Sequence, residues 1–205
     1  MNEYKLEELL LTAREQDDVI RDVRFTKEIF IELDFSSIEF SSVSFEGCRF
    51  IECDFRGASF YSSQFLKCDL SNASFKETYF KDSVISGSKY DGASFANSGF
   101  KNVKIESSSL SYANFSSCNF DLIKIMDTVA KEASFMNSKF KKCEFCNVNF
   151  TKSEFFKAFL VDIDFSKSDI GGITLSDNLS ELKGAKIASH QATEIAKMLG
   201  IRICD

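Results

Sequence analysis

Ala58-Ser59-Phe60-Tyr61-Ser62-Ser63-Gln64-Phe65-Leu66-Lys67-Cys68-Asp69-Leu70-Ser71-Asn72-Ala73-Ser74-Phe75 is the stretch whose reading decides the fold. A large apolar residue returns at every fifth position, and a small residue stands two places before each. Followed outward, the spacing holds from Phe25 to Leu175 with no insertion or deletion. Those 31 positions hold 21 of the 23 phenylalanines. The others are Leu70, Ile85, Tyr90, Ile105, Leu110, Ile125, Ala130, Leu160, Ile170 and Leu175. The row two places earlier is small or aliphatic, as at Cys48, Ala58, Ser63, Cys68 and Ala113, with Glu28 its one outlier. Between the rows lie Ser, Asn, Asp, Lys, Glu and Gly.

Neither a helix nor a flat strand can bury this pattern. Five residues of α-helix rotate a side chain by about 140°, which smears the Phe row around the axis. In a flat strand an odd spacing sends successive rings to opposite faces. A chain that turns a corner every five residues points all of them inward and makes a solenoid. The exceptions count the sides. Between residues 70 and 130, a 20-residue coil sorts them onto two adjacent sides, and the other two sides stay Phe. A three-sided, 15-residue coil scatters the same exceptions over every side. The sequence therefore predicts an all-β solenoid of four sides and nearly eight coils, about 37 Å long at the usual strand spacing.

Runs such as Ala58-Ser59-Phe60, Cys68-Asp69-Leu70-Ser71-Asn72-Ala73-Ser74-Phe75 and Ala113-Asn114-Phe115 resemble the A-(D/N)-(L/F)-x-x unit of pentapeptide-repeat proteins. The resemblance covers about three quarters of the chain. It implies a right-handed quadrilateral β-helix, with the central residue and the small residue inward; the handedness comes from the resemblance alone.

Three segments are expected: an N-terminal helical cap over 1–22, the β-helix over 23–177, and a C-terminal helix and tail over 178–205 for capping or dimerisation. Residues 3–16 read as an amphipathic helix with Leu6, Leu9, Leu10 and Ala13 on one side. After Gly171-Gly172 the repeat fades. Ser189 is the expected N-cap of a helix reaching Leu199, with Gly200 as its stop. Ala192, Ile195, Ala196 and Leu199 form its apolar face, and Ile201-Arg202-Ile203 a short terminal strand. At Ala130 a cavity or a distorted corner is expected.

Composition argues against catalysis. Histidine occurs once, at His190, and neither a P-loop nor a G-x-G-x-x-G is present, so no catalytic residue, metal or cofactor is expected. Cys143-Glu144-Phe145-Cys146 matches C-x-x-C, but the repeat makes Cys143 an inward packing residue and Cys146 an outward one. Cys48 and Cys68 lie one coil apart on the same side, and packing is the expected role of both. A net charge of −6 gives no reason to expect nucleic-acid binding. Met1-Asn2-Glu3-Tyr4-Lys5-Leu6 has no signal-peptide pattern, and no stretch approaches the ~20 apolar residues of a membrane span. Seven cysteines on such a chain point to reduced thiols in a cytoplasm.

Two surface features stand out. Phe156 and Phe159 fall outside the five-residue register and should face outward, either under the C-terminal helix or at a dimer interface. Lys81, Lys101 and Lys141 occupy matching places on one side, with Lys139 and Lys142 beside them and Asp121 interrupting the row; such a ladder suits an anion or an acidic partner, although a solvated surface explains it as well.

The segment Leu182-x-Gly184, Ile187, Gln191-Ala192, Ile195-Ala196 and Leu199-Gly200-Ile201 is similar to the tail of Qnr-type quinolone-resistance proteins. That resemblance implies a homodimer through the C-terminal helix and a non-catalytic protein that protects DNA gyrase and topoisomerase IV from quinolones by mimicking duplex DNA. Charge bears against mimicry. Residues 23–177 carry 18 basic and 21 acidic side chains, and the four sides balance at +1, −2, −2 and +1 with the inward Glu28 set aside. No side is an acidic stripe, whereas DNA carries a charge every ~1.7 Å. The loops that interrupt the coil in many relatives are also missing. The alternative expectation is a scaffold whose partner is unrelated to topoisomerases.

Overall fold

The corners show how a five-residue unit closes a square. In every unit from Asp22 to Asp162, the residue two places after the inward one has positive φ. That left-handed conformation turns the chain through a corner and favours Gly, Asn and Asp. Many corners comply, as at Gly47, Asn72, Asp82 and Asn102; others carry Ser, Lys or Glu, and two carry the bulky Tyr112 and Leu122. At several corners the turn is closed by a bond back three residues, as from Thr78 N–H to the Phe75 carbonyl, with Glu77 at the positive-φ third place that a type II turn requires.

The computed structural model describes residues 3–202 and 204. The chain is a right-handed quadrilateral β-helix with short helices at its ends. Every strand pairs in parallel with the one 20 residues on, as in Phe60↔Phe80 and Phe80↔Phe100. Two adjacent faces carry seven-stranded ladders, one through Phe40, Phe60, Phe80, Phe100, Phe120 and Phe140, the other through Phe25, Phe45, Phe65 and Phe145. These are named below the Phe40 face and the Phe45 face. The other two faces are mostly isolated bridges between turns, such as Asp54↔Ser74 and Ser94↔Asn114.

All 31 inward positions from Phe25 to Leu175 are buried. The rings lie over one another in columns: Phe60 and Phe80 are 4.8 Å apart and Phe80 and Phe100 5.2 Å, with interplanar angles of 16° and 2°. Rings of neighbouring columns meet edge-on or tilted, as Phe60 and Phe65 do at 73°, which suits their quadrupoles. The small row is buried throughout from Ile38 to Ile173. Its polar members are satisfied by the backbone of adjacent rungs: Ser83 Oγ donates to the Phe60 carbonyl at 3.2 Å and accepts from Ser63 N–H at 3.1 Å. Serine, threonine and cysteine therefore substitute for alanine here without an orphaned polar group.

Near Ala130 strand pairing continues through a corner that keeps its positive φ, 48° at Asp127. The strand Lys124–Val129 runs on for six residues, and its neighbour Glu144–Asn149 does the same. Ala130 is buried, and one coil later Phe150 meets Phe135 edge-on at 5.8 Å.

The helix α1, Glu3–Gln16, places Leu6, Leu10 and Ala13 in the core with Leu9 packed against it, as its amphipathic pattern requires. Arg14 ties it to the first coil by an ion pair with Asp34 at 2.9 Å. At the other end the 20-residue register breaks. Residues 180–182 form a 3-10 turn, and coil bonding resumes two residues late, with Asp164↔Lys186 in parallel and Phe165 N–H donating to the Lys186 carbonyl at 2.8 Å. The helix α2 then spans Ser189–Met198. Ala188, not Ser189, is its N-cap, and the Gln191 side chain accepts the Ala188 N–H at 2.7 Å in place of a serine cap. Ile201 and Arg202 form no strand, and Ile203 lies outside the described residues.

Candidate protein-binding surface

The lysines singled out in the sequence do share a face. On the Phe40 face Lys81 pairs with Lys101, Lys101 with Asp121, and Asp121 with Lys141, while Lys139 pairs with Asn119. Lys142 follows at the corner, with φ of 53°. Outward aromatics join them. Tyr61 and Tyr79 meet edge-on at 6.0 Å. The Tyr79 ring lies over Gly99, where a Cβ would stand 2.9 Å from Tyr79 Cδ2; the bare glycine lets the ring lie flat along the ladder. Parallel stacking brings together lysines and rings 20 residues apart, which no local motif announces.

Phe159 also belongs to this face. Its rung bridges to Lys139, and Lys139 Nζ lies 5.9 Å from its ring centroid. Phe159 is 58% exposed, and Val161, on the same rung, is 59% exposed. Val161 was missed in the sequence, although an aliphatic residue at an outward place of the repeat is a signal in its own right. Phe156 lies around the corner, half-buried beneath Lys157, whose Nζ stands 5.1 Å from its centroid. The two off-register aromatics thus occupy adjacent faces.

α2 sits elsewhere. It docks through a polar residue: Gln191 Nε2 donates to the carbonyls of Phe165 at 3.0 Å and Ser168 at 2.6 Å, and Gln191 is buried. Ile195 packs against the core, as do Leu182 and Ile187 from the preceding turn. Of the rest of the expected apolar face, Ala196 is half-buried and the remainder is open. Ala192 is exposed, Leu199 and Ile201 are 55% and 53% exposed, and Met198 is exposed beside them. Below α2 runs a groove of about 750 Å³ lined by Asp127, Asn147, Lys167, His190 and Glu194, which places the single histidine on an open polar surface.

The five buried thiols are packing groups. Cys143 is buried, with Sγ 3.6 Å from the Phe120 carbonyl, whereas Cys146 is exposed, so the C-x-x-C thiols lie on opposite sides of the wall. Burial pushes Cys53 up to about 11 and Cys118 up to about 12, which leaves both protonated and unreactive at neutral pH. Cys48 and Cys68 stack as the spacing requires. The hydrogen bond between them lowers Cys48; the same bond, with burial, raises Cys68.

Among the described residues, no helix is long and apolar enough to cross a membrane. The ion pairs are surface contacts, such as Lys104 with Glu106 at 2.6 Å and Lys124 with Glu144 at 3.1 Å on the Phe45 face.

Residues 58–135 match the Pentapeptide repeat region family, and residues 38–76 and 131–175 match Pentapeptide repeats (8 copies). No curated protein matches the chain. Among solved structures, it is similar to a trypsin-treated variant of QnrB1, a plasmid-mediated fluoroquinolone resistance protein, at 23% identity and a TM-score of 0.47 over 92% of this chain and 100% of that one. It is also similar to HetL, a pentapeptide repeat protein involved in heterocyst differentiation regulation from the cyanobacterium Nostoc, at 12% identity and a TM-score of 0.28 over 89% of this chain and 97% of that one. Between them the two repeat matches cover residues 38–175, the stretch that forms the stacked inward columns. The chain is a member of the pentapeptide-repeat proteins.

Proposed function

We propose that this protein is a non-catalytic scaffold that binds a type II topoisomerase, DNA gyrase or topoisomerase IV, and protects it from quinolones by presenting a rod in place of duplex DNA. The observation that carries the reading is the C-terminal segment. Its residues Leu182, Gly184, Ile187, Gln191, Ala192, Ile195, Leu199 and Ile201 resemble the Qnr-type tail, and the exposed Met198, Leu199 and Ile201 offer an apolar surface through which a second copy would make the dimer of that family. Seven free thiols, five of them buried, support a reducing cytoplasm as the setting. The continuous coil, with its interior filled by side chains, leaves the outward faces as the surface on which function rests.

A second reading keeps the scaffold and changes the partner. The Phe40 face, with five lysines against Glu39, Asp82, Asp121 and Asp162, favours it. A basic saddle built to hold DNA gains little from such a face. A gyrase supercoiling assay, with and without ciprofloxacin, separates the two. Inhibition or rescue at micromolar protein supports the topoisomerase reading; neither inhibition nor rescue removes it and leaves the other partner class.

A further inference from the structure

We propose that copies of this protein join head to tail, with the outward side of α1 of one copy seated on the C-terminal end of the Phe40 face of the next. The contact does not depend on the topoisomerase reading, and it uses none of the residues at the open end of α2.

The receiving surface is made of side chains. On the last rung of the Phe40 face the backbone is closed, since Leu160 is buried and Asp162 N–H donates to the Gly184 carbonyl at 3.2 Å. What faces solvent is Phe159 and Val161, two places apart on one rung. Lys139 lies one rung below Phe159, and Lys141, two places along the same strand, lies below Val161. Lys142 follows at the corner, and Lys157 stands two places before Phe159. An apolar pair is thus rimmed by four lysines, with Asp121 and Asp162 the carboxylates beside it.

α1 carries the complement. Leu6, Leu10 and Ala13 form its buried side, and on the opposite side Leu11 is 61% exposed. Glu8 lies three residues before Leu11, and Glu7 and Glu15 lie four residues to either side. At those spacings each carboxylate neighbours Leu11 on the helix surface, about 5–6 Å away between Cβ atoms. All three are exposed. The receiving face has a matching scale: Phe159 and Val161 stand about 6.6 Å apart along the strand, and the lysine rung lies about 4.8 Å below. Leu11 against Phe159 and Val161 therefore brings the glutamates over the lysines.

Neither set of charges is used within the chain. Among the described residues, Glu7, Glu8, Glu15, Lys139, Lys141, Lys142 and Lys157 make no ion pair, whereas Arg14 of the same helix holds Asp34, and Lys104 and Lys124 each hold a glutamate. The polarity extends along the rod. Residues 1–100 carry 11 basic and 18 acidic side chains, and residues 101–205 carry 14 and 13. Two acidic ends repel each other, so the acidic end of one copy is drawn to the lysines of another. A chain cannot fill its own patch. Its α1 is tied to the first coil through Arg14 and Asp34, about 34 Å from the last rung at the usual layer spacing. The two surfaces differ, so the contact is heterologous and leaves one free end on each copy. A contact this small, with a charged rim, is weak and salt-sensitive.

The test is sedimentation of the full chain from micromolar to near-millimolar concentration, in low and in high salt. The average mass should rise with concentration in low salt and fall back in high salt. Leu11→Ser and Lys139→Glu/Lys141→Glu/Lys142→Glu, all at exposed positions, should each weaken this association at least tenfold. Mixing the two variants decides the geometry. The lysine variant keeps its α1 and the leucine variant keeps its patch, so the mixture should form one-to-one pairs that neither variant forms alone. A symmetric contact, through α2 or any other surface, gives no such complementation. The proposal is overturned if the wild type shows no salt-sensitive association, if either variant associates as the wild type does, or if the mixture is no heavier than its components. In each of those cases the patch belongs to solvent or to a different partner. A negative supercoiling result leaves this contact intact.

Discussion

Tyr90 puts a phenol in a column where the rungs on either side carry Leu70 and Leu110. Its ring fits, 5.6 Å from Phe75 and 5.5 Å from Phe95, but its hydroxyl has no hydrogen-bond partner among the described residues. A buried orphan hydroxyl costs about 1–3 kcal/mol, so Tyr90→Phe should raise the thermal midpoint with no change in fold, as read by calorimetry. Ala58 makes the opposite case. It is fully buried in the small row, and Ala58→Leu should cost about 1–3 kcal/mol by overpacking against the ring columns; an unchanged chemical-denaturation midpoint would contradict the inward register. At the corners, Tyr112 holds a φ of 60° with its side chain exposed. Tyr112→Gly removes that backbone cost and should stabilise by about 1 kcal/mol in the same measurement. The inward residues were legible because each answers one repeated demand, a side chain that fills a fixed slot. The left-handed corners were not, because Tyr112 and Leu122 satisfy the outward polarity pattern poorly and the backbone conformation less well still.

The C-terminal element depends on two polar side chains. Gln191 bonds two carbonyls of the last coil and the N-terminus of α2. Gln191→Leu should release α2 at a cost of about 1–3 kcal/mol, seen as faster amide exchange from Gln191 to Met198 while the coil stays protected. Glu181 holds the 3-10 turn. Burial alone would raise its carboxyl, but hydrogen bonds from Ser176 Oγ and from the N–H groups of Lys157 and Ser176 outweigh it and set the carboxyl below the ordinary glutamate range. Its folded pKa is thus depressed. The stabilisation is complete above the ordinary glutamate range and is lost as pH falls through the lowered value. The Lys157 and Ser176 amide resonances should shift together in that acid window, and Glu181→Gln should abolish the transition. Neither device was legible. The helix is readable from Ala192, Ile195 and Leu199, yet Ala192 and Leu199 mark the side left open, while the docking residue is a glutamine whose partners lie 23 and 26 positions away. The two-residue slip after Leu175 left only a fading repeat, since a long-range backbone bond writes no periodicity into the segment that makes it.

At the scale of the molecule, twenty residues per coil decide everything that meets on the surface. That period sets Lys139 beneath Phe159, Tyr79 beside Gly99 and Lys81 beside Lys101. It was legible because the exceptions to Phe from Leu70 to Ala130 fall on two sides of a square and on no consistent side of a triangle. What the surface binds was not legible from the same pattern, since outward residues answer to a partner and to solvent rather than to the core. The most direct measurement of the central claim is a crystal structure of the full chain. Phe60, Phe80 and Phe100 are expected in one column, with successive ring centroids near 4.8 and 5.2 Å. A structure that stacked Phe60 under Phe75 instead, as a 15-residue coil would, would contradict it.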